Sequence, residues 1–149
     1  MDKIDRNILL ELQKNARLTV SDLSEKVALS QSPCARRLKN LEDEHYITGY
    51  RAVIDREKVG LTVTVFVGVK IGTHQEKSVN NFESLICSLP EVLSCHVVSG
   101  QYDYLMEVVS DSIESHERFL RKLISMADIK EAQSCFAMRK IKVDTAIPI

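Results

Sequence analysis

The first part of the chain carries apolar residues at helical spacing, separated by polar residues that favour helix caps. Asp2 and Asp5 have the spacing of a cap and open a predicted helix that ends near Asn15. Thr19 and Asp22 have capping-box spacing and open a second helix. The predicted inward positions are Ile4, Ile8, Leu9, Leu12, Leu23 and Val27.

A third helix and an extended segment follow. The helix begins with Ser30 or Ser32 as its cap, accepts Pro33 in its first turn and runs to about Asp43, because a missing N–H costs nothing at a helix start. Residues 47–55 are rich in β-forming side chains, which predicts a strand or a small hairpin. The first sixty residues therefore predict three short helices and an extended piece.

From Leu61 onward the pattern alternates. Apolar residues at every second position from Val63 to Ile71 put five apolar side chains on one face of a strand. The remaining predicted elements are helices over 75–89 and 112–126, and strands over 92–98, 102–109 and 129–143. The order β-α-β-β-α-β is that of a ferredoxin-like domain, so the predicted fold class is α+β.

Two predictions concern packing in this second half. The helices are expected to turn Val79, Phe82, Leu85, Ile86 and Leu89, and then Phe119, Leu120, Leu123 and Ile124, toward the sheet. The opposite sheet face has no helix to cover it and is too apolar for exposure, which predicts a sheet-to-sheet dimer. We assign to that face Phe66, Val92, Val98, Leu105 and Val109.

Composition limits the classes of function. Of the 149 residues, 44% are hydrophobic and 28% charged, as in an ordinary soluble protein. The 20 basic and 21 acidic residues give a net charge of −1, which excludes a histone-like or arginine-rich binder and requires any nucleic-acid contact to use a local patch. No apolar run reaches the roughly 18 residues of a membrane helix, and no signal-peptide core is present. We expect a cytoplasmic protein with no membrane contact.

The spacing of cysteines and glycines indicates no cofactor site. The four cysteines form no Cys-x-x-Cys pair and no finger-like set with histidine, so we expect reduced core thiols and no metal. The five glycines form no phosphate-binding loop. We predict no cofactor.

The third predicted helix has one apolar and one polar side. Cys34, Leu38 and Leu41 form the inward stripe, and between Glu25 and Glu42 there is no acidic residue. The outward side chains are of the types that contact phosphates and purine edges, with Arg37 more sideways and better placed for a phosphate. The alternative is that these charges only solvate an amphipathic helix. The predicted DNA-binding residues are Gln31, Ser32, Ala35, Arg36, Arg37, Lys39 and Asn40.

An enzyme is the main competing class, because ferredoxin-like domains also host catalysis. Cys95 and His96 are adjacent on a predicted strand and therefore point to opposite faces, which excludes a nucleophile–base pair. His45, His74 and His116 are scattered without partners at ligand spacing, and we interpret each as a surface or loop residue. The chain is predicted not to be an enzyme.

Several short motifs are spread over both halves of the chain. They include Asp2-x-x-Asp5-x-x-Ile8-Leu9, Arg37-Leu38-Lys39-x-Leu41-Glu42, Ile47-Thr48-Gly49-Tyr50, Pro90-Glu91-Val92 and Gly100-x-Tyr102-Asp103-Tyr104-Leu105. Together these motifs resemble those of the leucine-responsive regulator/asparagine regulator (Lrp/AsnC) family of transcription factors. The resemblance implies a winged helix-turn-helix over 1–48, a linker strand over 49–60 that pairs between protomers, and a ferredoxin-like amino-acid-sensing domain over 61–149. It also implies homodimers that assemble further, into octamers.

The resemblance further implies a transcriptional regulator of amino-acid metabolism that binds double-stranded DNA and takes a free amino acid as its effector. The effector residues that it implies are Gly100, Gln101, Tyr102, Asp103 and Tyr104, with Ser134 brought from a neighbouring subunit. Asp103 can accept the ammonium group, while a glycine turn exposes N–H groups to the carboxylate. The alternatives are a turn-capping Asp103 and tyrosines that only pack on the sheet.

The class of the effector has a weaker indication. Pro33-Cys34, Ser94-Cys95 and the tail from Phe136 through Thr145 to Ile149 are most similar to the branch that senses sulfur-containing or branched hydrophobic amino acids. An architectural DNA-binding protein that ignores amino acids has the same DNA-binding helix and stays open as a further alternative.

Overall fold

The computed structural model describes residues 1–142 and 146–149. The contacts divide the chain into two units, Met1–Val53 with Lys142–Ile149, and Ile54–Ile141. The end of the chain, which the sequence-based division assigns to the second domain, thus contacts the first unit: the Gln13 side-chain amide donates to the Ile147 carbonyl at 3.2 Å and accepts from the Ile147 N–H at 2.6 Å.

Three helices form the first unit, as predicted: α1 (Lys3–Lys14), α2 (Val20–Lys26) and α3 (Gln31–Asp43). Capping boxes open α1, with Asp2 and Asp5, and α2, with Thr19 and Asp22. Ser30 stands at the cap position of α3 but makes no side-chain cap hydrogen bond. The core of this unit consists of Ile8, Leu12, Leu23, Val27, Cys34 and Leu41.

The strand or hairpin predicted for residues 47–55 is wrong for the single chain. Within the described residues, no strand lies between α3 and Val63. The β-forming side chains are present, but a strand also needs the hydrogen bonds of a neighbouring strand, and residues 1–142 and 146–149 supply no such neighbour to this segment. Val53 and Ile54 are consequently 93% and 59% exposed.

The second unit has the predicted ferredoxin-like order, β1 (Val63–Ile71), α4 (Glu76–Ser88), β2 (Val92–Val97), β3 (Tyr104–Ser110), α5 (Ile113–Met126) and β4 (Ile129–Phe136). The sheet order is β2-β3-β1-β4, and all three pairings are antiparallel. β4 ends at Phe136, earlier than predicted, because its pairing with β1 ends where Phe136 meets Val65. The predicted strand end, Val143, and Thr145 of the tail motif lie outside the described residues.

One sheet face forms the core with α4 and α5. Val65, Val67 and Val69 are fully buried there, with Met106 and Val108 from β3, which confirms the alternation in β1. Phe82, Ile86, Phe119 and Leu123 are buried, and Val79, Leu85, Leu89 and Leu120 pack against the same core. Ile124 is 46% exposed, so its predicted inward position is wrong.

The opposite sheet face is partly apolar and only partly open. Phe66 and Leu105 are 43% and 38% exposed, as predicted for an unpartnered face. Val92 instead packs against the helix-side core, because a register irregularity between Val92 and Ser94 changes which residues of β2 point inward. Val109 is buried, so its assignment to an open surface is also wrong.

Candidate DNA-binding helix and effector turn

The position of α3 in its unit is set by a small core and a tight turn. Cys34 is fully buried and Leu41 is 3% exposed, so the predicted inward side of the helix does face the core. The turn before α3 places Ala28 at a φ of 54°, a left-handed conformation that reverses the chain after α2. The outward side of α3 is therefore held by burial of the inward side.

Most of the predicted DNA-binding residues share the exposed side of α3. Gln31 donates to the Ser21 hydroxyl oxygen at 3.1 Å, which links the start of α3 to α2. Within residues 1–142 and 146–149, no carboxylate lies within ion-pair distance of Arg36 or Lys39. Both cations are thus available to a polyanion. The exposed set is Gln31, Ser32, Ala35, Arg36, Lys39 and Asn40.

Arg37 has a different environment from the rest of this set. Its Nη1 donates to Asp2 Oδ2 and Asp5 Oδ1, both at 2.7 Å, and its side chain is 31% exposed. The carboxylates of Asp5 and Asp2 raise the pKa of Arg37, and the hydrogen bond from the Asp5 backbone N–H, followed by Arg37, lowers the pKa of Asp2. The cation expected to meet a phosphate is already paired with two acids of its own unit.

The predicted effector residues of the second unit centre on the turn before β3. Gly100 has a φ of +120° with open space around it, a backbone conformation that side-chain-bearing residues rarely adopt. Asp103 is fixed at the end of this turn, because its N–H donates to the Val69 carbonyl at 2.9 Å and its Oδ2 accepts from the Ile71 N–H at 3.0 Å. Gln101 is exposed beside Gly100.

The two tyrosines of this turn lie on opposite sides of the sheet. The Tyr102 ring covers Gly68, where an added Cβ would stand 2.5 Å from the ring. Tyr104 is 4% exposed in the helix-side core, with its ring 4.7 Å from that of Phe82. Its hydroxyl donates to Glu83 at 2.9 Å, and burial and Glu83 raise the pKa of Tyr104 to about 12. Only Tyr102 of the pair therefore faces the open sheet surface.

Ser134, the residue expected from a neighbouring subunit, lies on the helix side of β4. Its hydroxyl is 3.0 Å from Nε2 of His116, which is 2% exposed on α5. The interpretation of His116 as a surface or loop residue is therefore wrong. Helical spacing from Phe119 and Leu123 does predict its burial, because position 116 lies three residues before one and seven before the other.

Comparison with known proteins gives the family. The protein-family model described as the Lrp/AsnC ligand binding domain matches residues 64–147, and the family model described as winged helix-turn-helix DNA-binding matches residues 1–48. The chain belongs to the Lrp/AsnC family. This confirms the resemblance drawn from the motifs and makes the protein a DNA-binding transcriptional regulator rather than an enzyme.

Individual Lrp/AsnC proteins match over nearly their whole length. The DNA-binding transcriptional activator DecR of Escherichia coli K12 is 38% identical over 150 residues, covering 100% of this chain and 99% of DecR. A Neisseria meningitidis transcriptional regulator, solved as an L-Met complex, is 39% identical with a TM-score of 0.96, covering 99% and 96% of the two chains. An AsnC family regulator from Agrobacterium tumefaciens is 37% identical with a TM-score of 0.96, covering 99% and 97%.

Cys95 and His96, the adjacent pair considered for catalysis, lie in different environments in this Lrp/AsnC chain. Cys95 packs against the helix-side core while His96 is exposed, as the alternation along β2 predicts. Burial, first, and then Cys87 and Glu83 raise the pKa of the Cys95 thiol to about 11, which keeps it protonated and a poor nucleophile.

No helix in the described part of the chain is long and apolar enough to cross a membrane.

The buried His116 gives a testable pH dependence of stability. Burial lowers its pKa below the ordinary 6.5, so the unfolded chain takes up a proton more readily than the folded one. The contribution of neutral His116 to the free energy of unfolding is complete above the ordinary pKa and is lost as the pH falls through the lowered pKa of the folded state. We expect Tm to fall between about pH 7.5 and about pH 5.5, and to fall less in His116→Gln, measured by circular dichroism. Equal falls in the two proteins would contradict this.

Proposed function

We propose that this chain is an amino-acid-responsive regulator of amino-acid metabolism, in which α3 binds the major groove and a sulfur-containing or hydrophobic amino acid modulates DNA binding. The observation that carries the proposal is the Asp103 carboxylate, fixed by the Ile71 N–H beside the open Gly100 turn. The relative solved as an L-Met complex, which matches 99% of this chain, supports methionine as the first effector to test.

The DNA-binding part of the proposal rests on the unpaired cations of α3. Arg36 and Lys39 are exposed on the side of the helix opposite Cys34, and Asn40 is exposed beside them. A guanidinium group can donate two hydrogen bonds to the edge of one guanine, an asparagine amide can bind an adenine edge, and a lysine ammonium group can bind a phosphate. One helix of this size gives little affinity alone, so a two-fold dimer on a palindromic site fits the near-neutral net charge.

The effector-binding part rests on the atoms still available at the turn. Asp103 Oδ2 accepts the Ile71 N–H, and no donor to Oδ1 is found in residues 1–142 and 146–149. The Oδ1 atom of this fixed carboxylate suits an ammonium group, because charge-assisted hydrogen bonds are stronger than those between neutral groups. The free space at Gly100 suits a carboxylate that approaches the backbone.

Assembly completes the proposed site. Phe66 and Leu105 remain exposed on the open sheet face, which favours a homodimer formed there, and Val53 and Ile54 favour a linker strand paired between protomers. We propose further assembly toward an octamer, with Ser134 facing the effector of a neighbouring subunit and the protein acting in the cytoplasm. Ser134 would then have to exchange or share its contact with His116.

A thermal-shift screen against the twenty amino acids tests the effector proposal. A ligand at 100 times its Kd adds about 2.7 kcal/mol to the free energy of unfolding, so a true effector raises Tm by several degrees. We expect L-methionine or another hydrophobic amino acid to do so, and D-methionine to serve as the matched control. No shift with any amino acid would contradict the proposal and favour the architectural alternative.

A further inference from the structure

We propose that Arg37 is a positioning residue that fixes the angle of α3 against the start of α1, and that it makes no phosphate contact. The inference rests on the proposed binding of DNA by α3 and adds a second requirement to it. Asp2, Asp5 and Arg37 form a hydrogen-bonded cluster, the α1–α3 clamp. All three residues lie in the first structural unit.

The hydrogen bonds of the α1–α3 clamp use every carboxylate oxygen that it contains. Asp2 Oδ1 accepts the N–H groups of Ile4 and Asp5, at 2.8 and 2.9 Å, and Asp5 Oδ2 accepts the Asp2 N–H at 2.8 Å. The remaining oxygens, Asp2 Oδ2 and Asp5 Oδ1, both accept from Arg37 Nη1. The capping-box hydrogen bonds hold both acids in place without involving Arg37, so the two carboxylates are a preorganised acceptor for one cation.

The direction of Arg37 on α3 agrees with this role. At 100° per residue, Arg37 lies about 40° from the buried Leu41 and about 60° from the buried Cys34. It lies about 100° from Arg36, and roughly 115° from the middle of the surface formed by Ser32, Arg36, Lys39 and Asn40. A helix that presents this surface to a groove turns Arg37 back toward its own unit.

The energetics also indicate positioning rather than stability. Ion pairs that are open to solvent contribute little to folding, and this applies more to the pair of Arg37 with Asp2, 31% and 52% exposed, than to its pair with Asp5, which is 16% exposed. A small change in helix angle, in contrast, displaces all the base-contacting atoms of α3 together, and such contacts are sensitive to misplacement. The clamp is therefore expected to affect DNA binding more than thermal stability.

The test compares DNA affinity in variants that remove one partner of the clamp. The probe is a duplex selected from a random library by the wild-type protein, and Kd is measured by fluorescence anisotropy at several salt concentrations. If Arg37 positions α3, Asp5→Asn and Arg37→Gln each weaken binding several-fold, and the double variant binds no more weakly than the weaker of the two single variants. The slope of log Kd against log salt concentration, called the salt slope, is then unchanged. If Arg37 contacts a phosphate, Asp5→Asn leaves Arg37 paired with Asp2 alone and therefore more available to the phosphate, so binding tightens, whereas Arg37→Gln lowers the salt slope by about one.

Three further variants make the result decisive. Asp22→Asn removes the corresponding acid from the capping box of α2, to which the described residues supply no arginine partner, and so measures the general effect of losing a negative charge. Asp2→Asn serves where Asp5→Asn unfolds, because asparagine caps a helix about as well as aspartate. Affinity in Asp5→Asn or Asp2→Asn at or above that of Asp22→Asn overturns the proposal. Arg36→Gln tests the binding surface itself, so its failure to weaken binding would contradict the proposed function instead.

Discussion

Replacing Asp103 with alanine is expected to abolish the response of DNA binding to the effector while leaving DNA binding without effector intact. The carboxylate is the acceptor proposed for the ammonium group, and hydrogen bonds to charged groups contribute about 1.5–3 kcal/mol. Effector affinity should therefore fall by at least about tenfold. Isothermal titration calorimetry with L-methionine measures the loss directly.

Asp103 also accepts the Ile71 N–H, so alanine alters the turn as well as the charge. Asp103→Asn is the control, because its amide oxygen keeps the Ile71 hydrogen bond while the negative charge is lost. We expect Asp103→Asn to retain the wild-type Tm and still to bind the effector at least about tenfold more weakly. Wild-type effector affinity in Asp103→Asn would exclude the carboxylate as the ammonium acceptor.

Replacing Arg36 with alanine is expected to weaken binding to the selected duplex by about 1–3 kcal/mol and to relax specificity at one base pair. Arg36 is exposed on the outward side of α3 and is not paired with any acid in the described part of the chain. The measurement is anisotropy on the selected duplex and on duplexes with each base pair changed in turn. An even loss across sequences, with a smaller salt slope, would make Arg36 a phosphate contact instead.

The matched control for Arg36 is Arg118→Ala, which removes the same charge from α5 in the second unit. Arg118 bonds only to the Ser115 hydroxyl among the described residues, so its loss reports the long-range effect of net charge. Equal effects of Arg36→Ala and Arg118→Ala would remove Arg36 from the interface and favour the interpretation that the charges of α3 only solvate the helix.

Local chemistry made much of the fold predictable. The capping boxes of α1 and α2 and the alternation of β1 depend on residues within a few positions of one another, and all three are present. The segment 47–55 was not predictable in this way, because β-forming residues specify a tendency while a partner strand decides the outcome. The position of Val92 depended similarly on a register irregularity that composition does not encode.

The candidate site was predictable as a set of residues but not as a geometry. Tyr102 and Tyr104 have the spacing of one strand face, yet β3 begins only at Tyr104, so the turn directs Tyr102 to the opposite side. Arg37 has partners 32 and 35 positions away, a distance at which spacing gives no information. The sequence indicated which side of α3 is outward because burial of Cys34 and Leu41 follows from helical periodicity alone.

The most direct test of the whole account is the affinity of the wild-type protein for its selected duplex, with and without saturating L-methionine, by fluorescence anisotropy. We expect tight, salt-dependent binding whose Kd changes with L-methionine, or with another hydrophobic amino acid from the thermal-shift screen, and does not change with D-methionine. Binding curves that superimpose for every one of the twenty amino acids would contradict the account.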